Sequence, residues 1–496
     1  MTTVKLNGKT MSVPVGIFLS EIVKGEKPCG GHGKCGKCKV IAKGHLSSLT
    51  QTEKTLLTQD ELLRGVRLSC LTTVTGDCEI IAVKDQEKYQ TMASKSISNL
   101  EIDPIFSQYG IAVDIGTTTL AARLYDVHGN MLAETARLNP QTEWGGDVVS
   151  RIEAALDGKT HHLAKAIRTA INEMVAELAV LAEINAKRID GMVITGNTVM
   201  LCLLTEESVE SLSHAPFEGT RLFGEKLSAS NLVLSNLLPN TPVYLPPCIS
   251  AFVGADIVCD LLTVPLYKDD ALMLVDIGTN GEMALWNGQE LFVCSTAAGP
   301  AFEGVGISMG MRGVAGAIDK VTLSNGDFCA HVISDAEPVG ICGSGVIDAV
   351  ACMLEADVLD ESGYLEEDPF CICEPVCFMQ KDVRMVQLAK SAICAGIETL
   401  LHYAAVSADV LQSFMIAGGF SIYMDMNNAT RIGLFPDSIP VDRVQVLGNG
   451  ALNGAARLLL NGRDACEALR IAREAQVVEL ATNAMFKERY VQNMLF

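Results

Sequence analysis

Two stretches of the sequence share one pattern: YGIAVDIGTTTLAARLYD at residues 109–126 and ALMLVDIGTNGEMALW at residues 271–286. In each stretch an apolar run ends at an aspartate, a short turn containing glycine and threonine follows, and a second apolar segment begins. This order predicts a strand, a tight turn and a second strand. Asp276 stands in the position of Asp114, 162 residues later, so the sequence predicts a duplicated domain.

The residue types of the two turns are suited to phosphate. Such turns offer backbone N–H groups and hydroxyls to phosphate oxygens, and an aspartate at a strand end can hold Mg²⁺ through water. Two such turns facing each other across a cleft would clamp a triphosphate from both sides. We therefore expect ATP and Mg²⁺ to bind at the residues of these turns, namely Asp114, Gly116, Thr117, Thr118, Asp276, Gly278, Thr279, Asn280 and Gly281.

Further glycine turns follow in an order that resembles the actin, sugar-kinase and chaperone ATPase superfamily. Gly418-Gly419 follows the apolar segment SFMIA and resembles the adenosine loop of that superfamily. Gly343-Ser344-Gly345 opens a helical pattern whose N-terminus could bind an anion or line the adenosine pocket. The resemblance implies that both turns belong to the nucleotide site.

Two residues are candidates for activating or orienting the attacking group. Superfamily kinases often carry an aspartate at the start of the helix before the second phosphate strand, and the resemblance places Asp256 of FVGADIVCDLL there. The alternative is that Asp256 only stabilises the helix N-terminus through the helix dipole, a contribution of about 0.3–1 kcal/mol. Asn197, in the turn that follows a predicted strand at residues 191–195, is a second candidate for orienting water.

The N-terminal region predicts a separate small domain. Thr3–Leu6 and Thr10–Val13 alternate around Asn7-Gly8, which is a hairpin signal, and a short helical spacing follows. A closing strand is expected at Cys78–Val83. The order of strand, turn, strand, helix and cysteine loop is typical of a β-grasp fold.

Four cysteines predict a 2Fe-2S cluster in this domain: Cys29, Cys35 and Cys38 in PCGGHGKCGKCKV, and Cys70 from a distant segment. The interleaved glycines allow the backbone to approach the sulfurs and donate N–H groups to them. The C-x5-C-x2-C spacing resembles adrenodoxin-like ferredoxins, with one more residue in the loop than the plant type. The alternative is a structural zinc site, although zinc ligands usually come in two pairs.

The remaining cysteines are expected to be free thiols, most of them small core residues. Cys371, Cys373 and Cys377 in CICEPVC suggest a second cluster, but their C-x-C-x3-C spacing matches no ferredoxin pattern. We expect them to be free loop thiols.

Composition and charge exclude several classes of protein. A chain of 496 residues that is 49% apolar and 20% charged can bury several cores, which excludes disorder as its main state. A net charge of −21 without a basic run argues against a nucleic-acid partner. No apolar stretch has the length of a signal peptide or a membrane span, so we expect a cytoplasmic protein without a membrane partner.

We expect a multidomain α/β and α+β protein with three parts. Residues 1–84 form the ferredoxin-like domain, residues 85–108 a polar linker, and residues 109–496 a duplicated actin-like ATPase with lobes at roughly 109–270 and 271–496.

This assembly, with the motifs NPQTEWGGDVVSRI, GNTVM, FVGAD, DIGTNGE, STAAGPAFEG and ICGSGVIDAV, resembles the reductive activators of corrinoid-dependent methyltransferases over nearly the whole chain. The resemblance implies that an electron from a low-potential donor passes through the 2Fe-2S cluster, and that ATP is used to return a Co(II) corrinoid on a partner protein to Co(I). It also implies a homodimer. We expect the linker to lead directly into the ATPase, whereas some members carry an extra domain between the two, a difference that bears on how the partner docks.

Two other functions fit parts of the pattern. A small-molecule kinase of the sugar-kinase superfamily fused to a ferredoxin would consume ATP with a metabolite and without a corrinoid protein. An activator of a radical dehydratase would share the ATPase fold, but such activators hold a 4Fe-4S cluster across a dimer interface, and the four-cysteine loop argues against that.

Overall fold

The computed structural model describes residues 1–23, 30–34, 36, 38–57, 59–82, 100–419 and 421–496. The chain forms two compact units: Met1–Lys88 with Leu138–Ile167, and Tyr89–Arg137 with Arg168–Phe496. Two of the expected cluster ligands, Cys29 and Cys35, and most of the expected linker, residues 85–99, lie outside the described residues.

The first unit contains a five-stranded mixed sheet. Its elements are β1 (Thr2–Leu6), β2 (Lys9–Val13), α1 (Leu19–Ile22), β3 (Lys39–Leu46), α2 (Gln51–Leu56), α3 (Gln59–Leu63), β4 (Val66–Leu68) and β5 (Val74–Ala82), followed in residues 138–167 by α4 (Val148–Ala154). The strand order is β2-β1-β5-β3-β4, with β1 and β5 parallel. The expected hairpin about Asn7-Gly8 is present, since both residues have positive φ and Leu6 pairs with Lys9. This arrangement is the one that the sequence predicts for a β-grasp domain.

The second unit contains the remaining strands and helices. Its first half comprises β6 (Tyr109–Ile115), β7 (Thr119–Asp126), β8 (Met131–Leu138), α5 (Thr160–Leu181, which begins in the first unit), β9 (Ile189–Gly196), α6 (Thr198–Thr205), β10 (Phe223–Ser228), β11 (Pro242–Pro247) and α7 (Ala255–Leu262). Its second half comprises β12 (Leu272–Ile277), β13 (Gly281–Trp286), β14 (Leu291–Thr296), β15 (Ala317–Ser324), β16 (Asp327–Val332), β17 (Gly340–Ile341), α8 (Gly343–Glu355), β18 (Phe370–Cys373), β19 (Val376–Phe378), α9 (Gln380–Tyr403), β20 (Ser413–Ala417), α10 (Met426–Arg431), β21 (Val444–Gly448), α11 (Gly450–Leu460), α12 (Asp464–Glu474), β22 (Gln476–Val477) and α13 (Ala484–Gln492).

Two six-stranded sheets confirm the predicted duplication. Their orders are β10-β11-β9-β6-β7-β8 and β21-β20-β12-β13-β14-β22. In each sheet the aspartate-bearing strand pairs in parallel with a later strand and in antiparallel with the next one: β6 with β9 and β7, and β12 with β20 and β13. Asp114 pairs with Thr195 and Asp276 with Ala417, so the two aspartates occupy equivalent positions.

The apolar runs of these strands reflect burial on both faces. Along β12, Met273 and Val275 belong to one core cluster, while Leu272 and Leu274 belong to another on the opposite face. A central strand covered on both faces has continuous apolar sequence instead of alternation. Among the described residues, no helix combines the length and apolar character needed to cross a membrane.

Strands β18 and β19 form a separate two-stranded hairpin that corrects one expectation. Cys371 and Cys377 lie opposite each other across the hairpin and form a disulfide, so the prediction of free loop thiols is wrong for this pair. Cys373 is free, as expected. The pairing depends on the strand register, which places opposed side chains on one face and which the cysteine spacing alone does not reveal.

Candidate functional site

The second unit encloses a cavity of about 360 Å³ at the ends of β6 and β12. Most of the expected nucleotide-site residues line it, together with both catalytic candidates: Asp114, Gly116, Thr117, Thr118, Asn197, Asp256, Asp276, Gly278, Thr279, Asn280, Gly343, Ser344, Gly418 and Gly419. Two expected residues are not in its lining. Gly281 pairs with Thr296 at the start of β13, and Gly345 packs so closely that a Cβ there would lie 2.3 Å from the Ile318 carbonyl oxygen.

The first expected phosphate loop, Gly116–Thr118, follows β6 directly. Glycine is required at its first position, because a Cβ on Gly116 would lie 2.6 Å from the carbonyl oxygen of Thr119. The hydroxyl of Thr117 accepts a hydrogen bond from Asn197 Nδ2 at 3.2 Å. The loop is therefore tied to the end of β9.

Both the oxygen and the nitrogen of the Asn197 side-chain amide form hydrogen bonds within the protein. It is the N-cap of α6, where its Oδ1 accepts a hydrogen bond from Met200 N at 3.0 Å, while its Nδ2 donates to Thr117. The geometry assigns this side chain to holding the first loop against α6.

The second phosphate loop, Gly278–Asn280, follows β12. The N–H of Gly278 donates to the carbonyl of Asn280 at 3.0 Å, and the hydroxyl of Thr279 donates to Glu303 Oε1 at 2.8 Å. The other oxygen of Glu303 accepts a hydrogen bond from the hydroxyl of Thr118 in the first loop. One carboxylate thus joins the two loops.

Glu303 was missed in the sequence, although a signal for it exists. It ends a 3-10 turn, Pro300–Glu303, that follows β14, and a 3-10 turn at Pro140–Glu143 follows β8 in the first copy. The motif P-x-x-E therefore recurs with nearly the same spacing as the two aspartates. The repeat extends beyond the phosphate loops.

Asp256 lies in the first turn of α7 and faces the cavity. Its Oδ1 accepts a hydrogen bond from Ile257 N at 2.9 Å. A Cβ on the N-cap residue Gly254 would lie 2.4 Å from Asn197 Cα, so glycine lets the starts of α6 and α7 approach. Burial raises the pKa of Asp256 to about 6, although hydrogen bonds from Ile257 and Glu282 oppose the rise.

The two strand-end aspartates lie in the same electrostatic environment. Burial, opposed by a hydrogen bond from Asn449 at 3.0 Å, raises the pKa of Asp114 to about 7. Burial and the charges of Asp256 and Asp114 raise the pKa of Asp276 to about 8. A divalent cation bound beside these carboxylates would favour their ionised form and so lower their pKa values.

The donor set fits Mg²⁺ held through water and phosphate. Within the described part of the chain, no three His, Cys, Asp or Glu side chains converge as a direct metal cage. Mg²⁺ usually keeps several waters and takes one or two carboxylates plus substrate phosphates.

A second acidic residue of α7, Asp260, was also missed. It is fully buried one turn after Asp256, and neither carboxylate oxygen has a hydrogen-bond partner among the described residues. It lies against the first residue of α11, since a Cβ on Gly450 would be 2.1 Å from Asp260 Oδ1. Burial, together with the charges of neighbouring carboxylates, raises its pKa well above the usual range.

The expected adenosine residues contribute backbone to the cavity. Gly418, with φ of 102°, approaches so closely that a Cβ would lie 2.3 Å from the Ile277 carbonyl oxygen. Ser344 lines the cavity, and its hydroxyl donates to the carbonyl of Asp319 at 2.8 Å.

Two of the four expected cluster ligands are described, and they lie together in the first unit. The Sγ atoms of Cys38 and Cys70 are 3.2 Å apart and both residues are buried. The loop glycines of this region have positive φ: Gly30, Gly31, Gly33 and Gly36. A thiol that follows a glycine-rich loop and a second thiol that contacts it from a distant segment fit an iron–sulfur ligand set.

The segment that carries Cys70 is anchored by a buried acid. Glu53 accepts hydrogen bonds from Leu68 N at 3.2 Å and Thr72 Oγ1 at 3.0 Å, on either side of Cys70, and from Arg67 Nε at 2.9 Å. Burial would raise the pKa of Glu53, but the hydrogen bonds, above all that from Arg67, lower it to about 2.

The duplicated sheets and the two loops on one cavity define an ATP-binding protein of the ASKHA class. Residues 270–496 match the family described as "C-terminal domain of RACo the ASKHA domain", and residues 109–269 match the "RACo middle region". The chain is 36% identical over 432 residues to the corrinoid activation enzyme RamQ of Eubacterium limosum, covering 80% of this chain and 72% of that one. The chain belongs to the RACo family of reductive activators.

Two further comparisons agree. The [Co(II) methylated amine-specific corrinoid protein] reductase of Methanosarcina barkeri is 26% identical over 417 residues, covering 77% of this chain and 76% of that protein. A solved structure of a reductive activator for corrinoid, iron-sulfur protein superposes with a TM-score of 0.74 at 26% identity, over 100% of this chain and 98% of that one.

Proposed function

We propose that this protein reduces the Co(II) form of a partner corrinoid protein to Co(I) in an ATP-dependent reaction. The observation that carries the proposal is the position of Glu303, which bonds both phosphate loops of an ASKHA fold in a chain of the RACo family. A site that links the loops of both lobes is suited to converting nucleotide binding into relative movement of the lobes.

The electron would pass through a 2Fe-2S cluster bound by Cys29, Cys35, Cys38 and Cys70. The contact between Cys38 and Cys70 supports their membership in one ligand set, and the sequence spacing of the cysteines favours an iron–sulfur cluster over zinc. A 2Fe-2S cluster supplies one-electron transfer at low potential. Glu53 would hold the Cys70 segment in place from both sides.

The nucleotide would bind as ATP with Mg²⁺ between the two loops. Backbone N–H groups of Gly116–Thr118 and Gly278–Asn280 would donate to phosphate oxygens, and Asp114 and Asp276 would hold Mg²⁺ through water. Gly418-Gly419 and the start of α8 would line the base and sugar.

Asp256 would orient the attacking water and accept its proton. Its position in the lining and its raised pKa, close to the working range of a general base, support this role. Asn197 would act indirectly, because its amide is committed to Thr117 and to the cap of α6.

The requirement for ATP follows from the reaction. Reduction of Co(II) to Co(I) has a very low potential, and each tenfold shift in a one-electron equilibrium corresponds to about 59 mV. Electron transfer to Co(II) from a low-potential one-electron donor alone would be thermodynamically unfavourable. Closure of the nucleotide cleft would favour a Co(II) state that accepts the electron more readily.

The domain borders and location are also proposals. We place the ferredoxin-like domain at residues 1–84, the linker at 85–108 and the ATPase at 109–496. We place the protein in the cytoplasm, where low-potential donors operate and the many unpaired cysteines would stay reduced.

An anaerobic titration tests the proposal. The purified protein, a chemical reductant and a Co(II) corrinoid protein are mixed with and without ATP, and the Co(I) absorbance is recorded. We expect Co(I) only with ATP. ATP consumption that depends on a metabolite and proceeds without a corrinoid protein would instead identify a small-molecule kinase.

A further inference from the structure

The hairpin of β18 and β19 carries three cysteines that the proposed function does not use. Cys371 and Cys377 are cross-strand partners and form a disulfide. Cys373 is a free thiol two positions along the same strand. A register shift separates Cys371 from Cys373, and Cys373 lies opposite the buried Val376 and packs against the core cluster.

The three cysteines are accessible, unlike most others of the described chain. Cys371 is exposed, and Cys373 and Cys377 are half-buried. Most free cysteines are buried in apolar surroundings, where burial raises the pKa of thiols such as Cys202 and Cys394 to about 12. Thiol–disulfide exchange requires a reachable sulfur, so this hairpin is favoured over the buried thiols.

The inner face of the hairpin is anchored, so a change in the bridge reaches the core. Ile372, Val376 and Phe378 are buried, and the ring of Phe370 packs edge-on against Phe328 of β16 with centroids 5.1 Å apart. The disulfide therefore restrains strands that are seated on the main core cluster of the second unit.

Hydrogen bonds connect the residue that follows the hairpin to a segment whose two ends line the proposed nucleotide cavity. Met379, two residues after Cys377, is the N-cap of α9, and its N–H donates to Asp382 Oδ2 at 3.0 Å. Asp382 Oδ1 accepts hydrogen bonds from the N–H and hydroxyl of Ser308 at 2.8 and 2.9 Å. Ser308 lies in the segment between Glu303 and Met311, and both of these residues line the cavity.

We propose that the Cys371–Cys377 disulfide is reversibly reduced by the dithiol of a partner protein. The oxidation state of this pair then sets the affinity for nucleotide through Asp382 and Ser308. A thiolate of the dithiol attacks one sulfur of the bridge and forms a mixed disulfide; the second thiol resolves it. The dithiol leaves as a disulfide, and Cys371 and Cys377 each gain one electron and one proton. The second half of the proposal rests on the nucleotide site proposed above.

The first test measures exchange at the hairpin itself. The intact protein is treated anaerobically with dithiothreitol or with reduced thioredoxin, alkylated, and examined by peptide mass spectrometry. We expect Cys371 and Cys377 to become alkylated while Cys202 and Cys394 stay unmodified. A bridge that resists both reductants in the folded protein would make it a structural disulfide and overturn the proposal.

The second test measures the effect on the nucleotide. We expect reduction, or the double change Cys371→Ser and Cys377→Ser, to weaken binding of a non-hydrolysable ATP analogue about fivefold, because the start of α9 is less restrained. Cys466→Ser, at an exposed free cysteine on α12, is the matched control and should bind normally. Asp382→Asn should abolish the difference between oxidised and reduced protein.

The two tests separate this proposal from the proposed function. If the oxidised wild-type protein fails to bind nucleotide, the function is wrong, while alkylation still reports on the hairpin. Equal affinities of the oxidised and reduced proteins would overturn the linkage between hairpin and cavity.

Discussion

The hydroxyl of Thr118 donates a hydrogen bond to the carboxylate of Glu303, although 185 residues separate them in the chain. The same carboxylate accepts a hydrogen bond from Thr279 at 2.8 Å. Each threonine belongs to one of the two expected phosphate loops, so one carboxylate joins both loops.

Replacing this carboxylate tests the coupling. Hydrogen bonds to charged groups contribute about 1.5–3 kcal/mol each, so Glu303→Ala should lower kcat/KM for ATP hydrolysis by about ten- to a hundredfold. The kcat/KM of Glu303→Gln, which keeps one acceptor oxygen, should lie between the values of the wild type and of Glu303→Ala. Steady-state ATPase assays measure both. Glu290→Ala, at an exposed acid in the same lobe, is the control and should keep the wild-type rate. A wild-type rate in Glu303→Ala would show that the bridge has no role in hydrolysis.

The two loop glycines should respond differently to alanine. A Cβ on Gly116 would lie 2.6 Å from the Thr119 carbonyl oxygen, whereas a Cβ on Gly278 meets nothing closer than 3.7 Å. Gly116→Ala should therefore lose nucleotide binding, and Gly278→Ala should keep most of it. Gly278→Val should also lose binding, because the larger side chain enters the phosphate space. Calorimetric titration with ATP distinguishes these outcomes, and equal losses in both alanine variants would contradict this loop geometry.

Asp256 should impose a pH limit on hydrolysis. A general base must be ionised, and burial raises the pKa of Asp256 to about 6, so the rate should fall as pH drops below about 6. Asp256→Asn should abolish the fall of the rate at low pH. It should slow hydrolysis by about 10²- to 10⁴-fold, with little change in ATP affinity. ATP-dependent Co(I) formation should fail with it. Normal ATPase activity in the variant would leave Asp256 as a helix-start carboxylate only.

Cysteine substitutions in the first unit should separate cluster ligands from core thiols. Cys38→Ala and Cys70→Ala should abolish the visible absorbance while nucleotide binding is kept. Cys78→Ala, at a buried free cysteine of β5, is the matched control and should stay coloured. Iron and sulfide analysis of the wild type should give about two of each per chain. One zinc per chain, or four irons, would refute the ligand set.

Glu53 should stabilise the first unit in a pH-dependent way. Its pKa is lowered from 4.5 to about 2, so its contribution is full above pH 4.5 and is lost as pH falls towards 2. Glu53→Gln should cost about 3 kcal/mol at pH 7, and the difference from wild type should narrow below pH 4.5. Urea unfolding followed by circular dichroism measures this. Glu79→Gln, at a half-exposed ion pair with Lys5, should cost less than about 1 kcal/mol at either pH.

Much of the nucleotide site follows from local sequence. The two DIGT and DIGTN segments, Asp256 and the Gly418-Gly419 turn all line one cavity. Each is a strand end, a helix start or a tight turn, and such features depend on a few neighbouring residues. Gly281 and Gly345 adjoin these turns but are not in the cavity lining, and their place in the nucleotide site stays a prediction.

The residues that sequence reasoning missed depend on long-range packing. Asp260 and Glu303 look like ordinary surface acids in the sequence, and only the approach of α11 and of the two loops gives them their environments. The contact between Asn197 and Thr117 depends on packing for the same reason, because the two residues follow different strands, and the water-orienting role of Asn197 stays a prediction.

The sequence by itself determined the repeated strand-turn-strand units, the ATPase class and the order of the glycine turns, since period, turn chemistry and spacing are local properties. Tertiary structure alone decided which carboxylate joins the loops, which thiols of CICEPVC pair, and which acids are buried. These features depend on strand register and on packing between segments distant in the chain, where burial and close approach change the chemistry of a side chain.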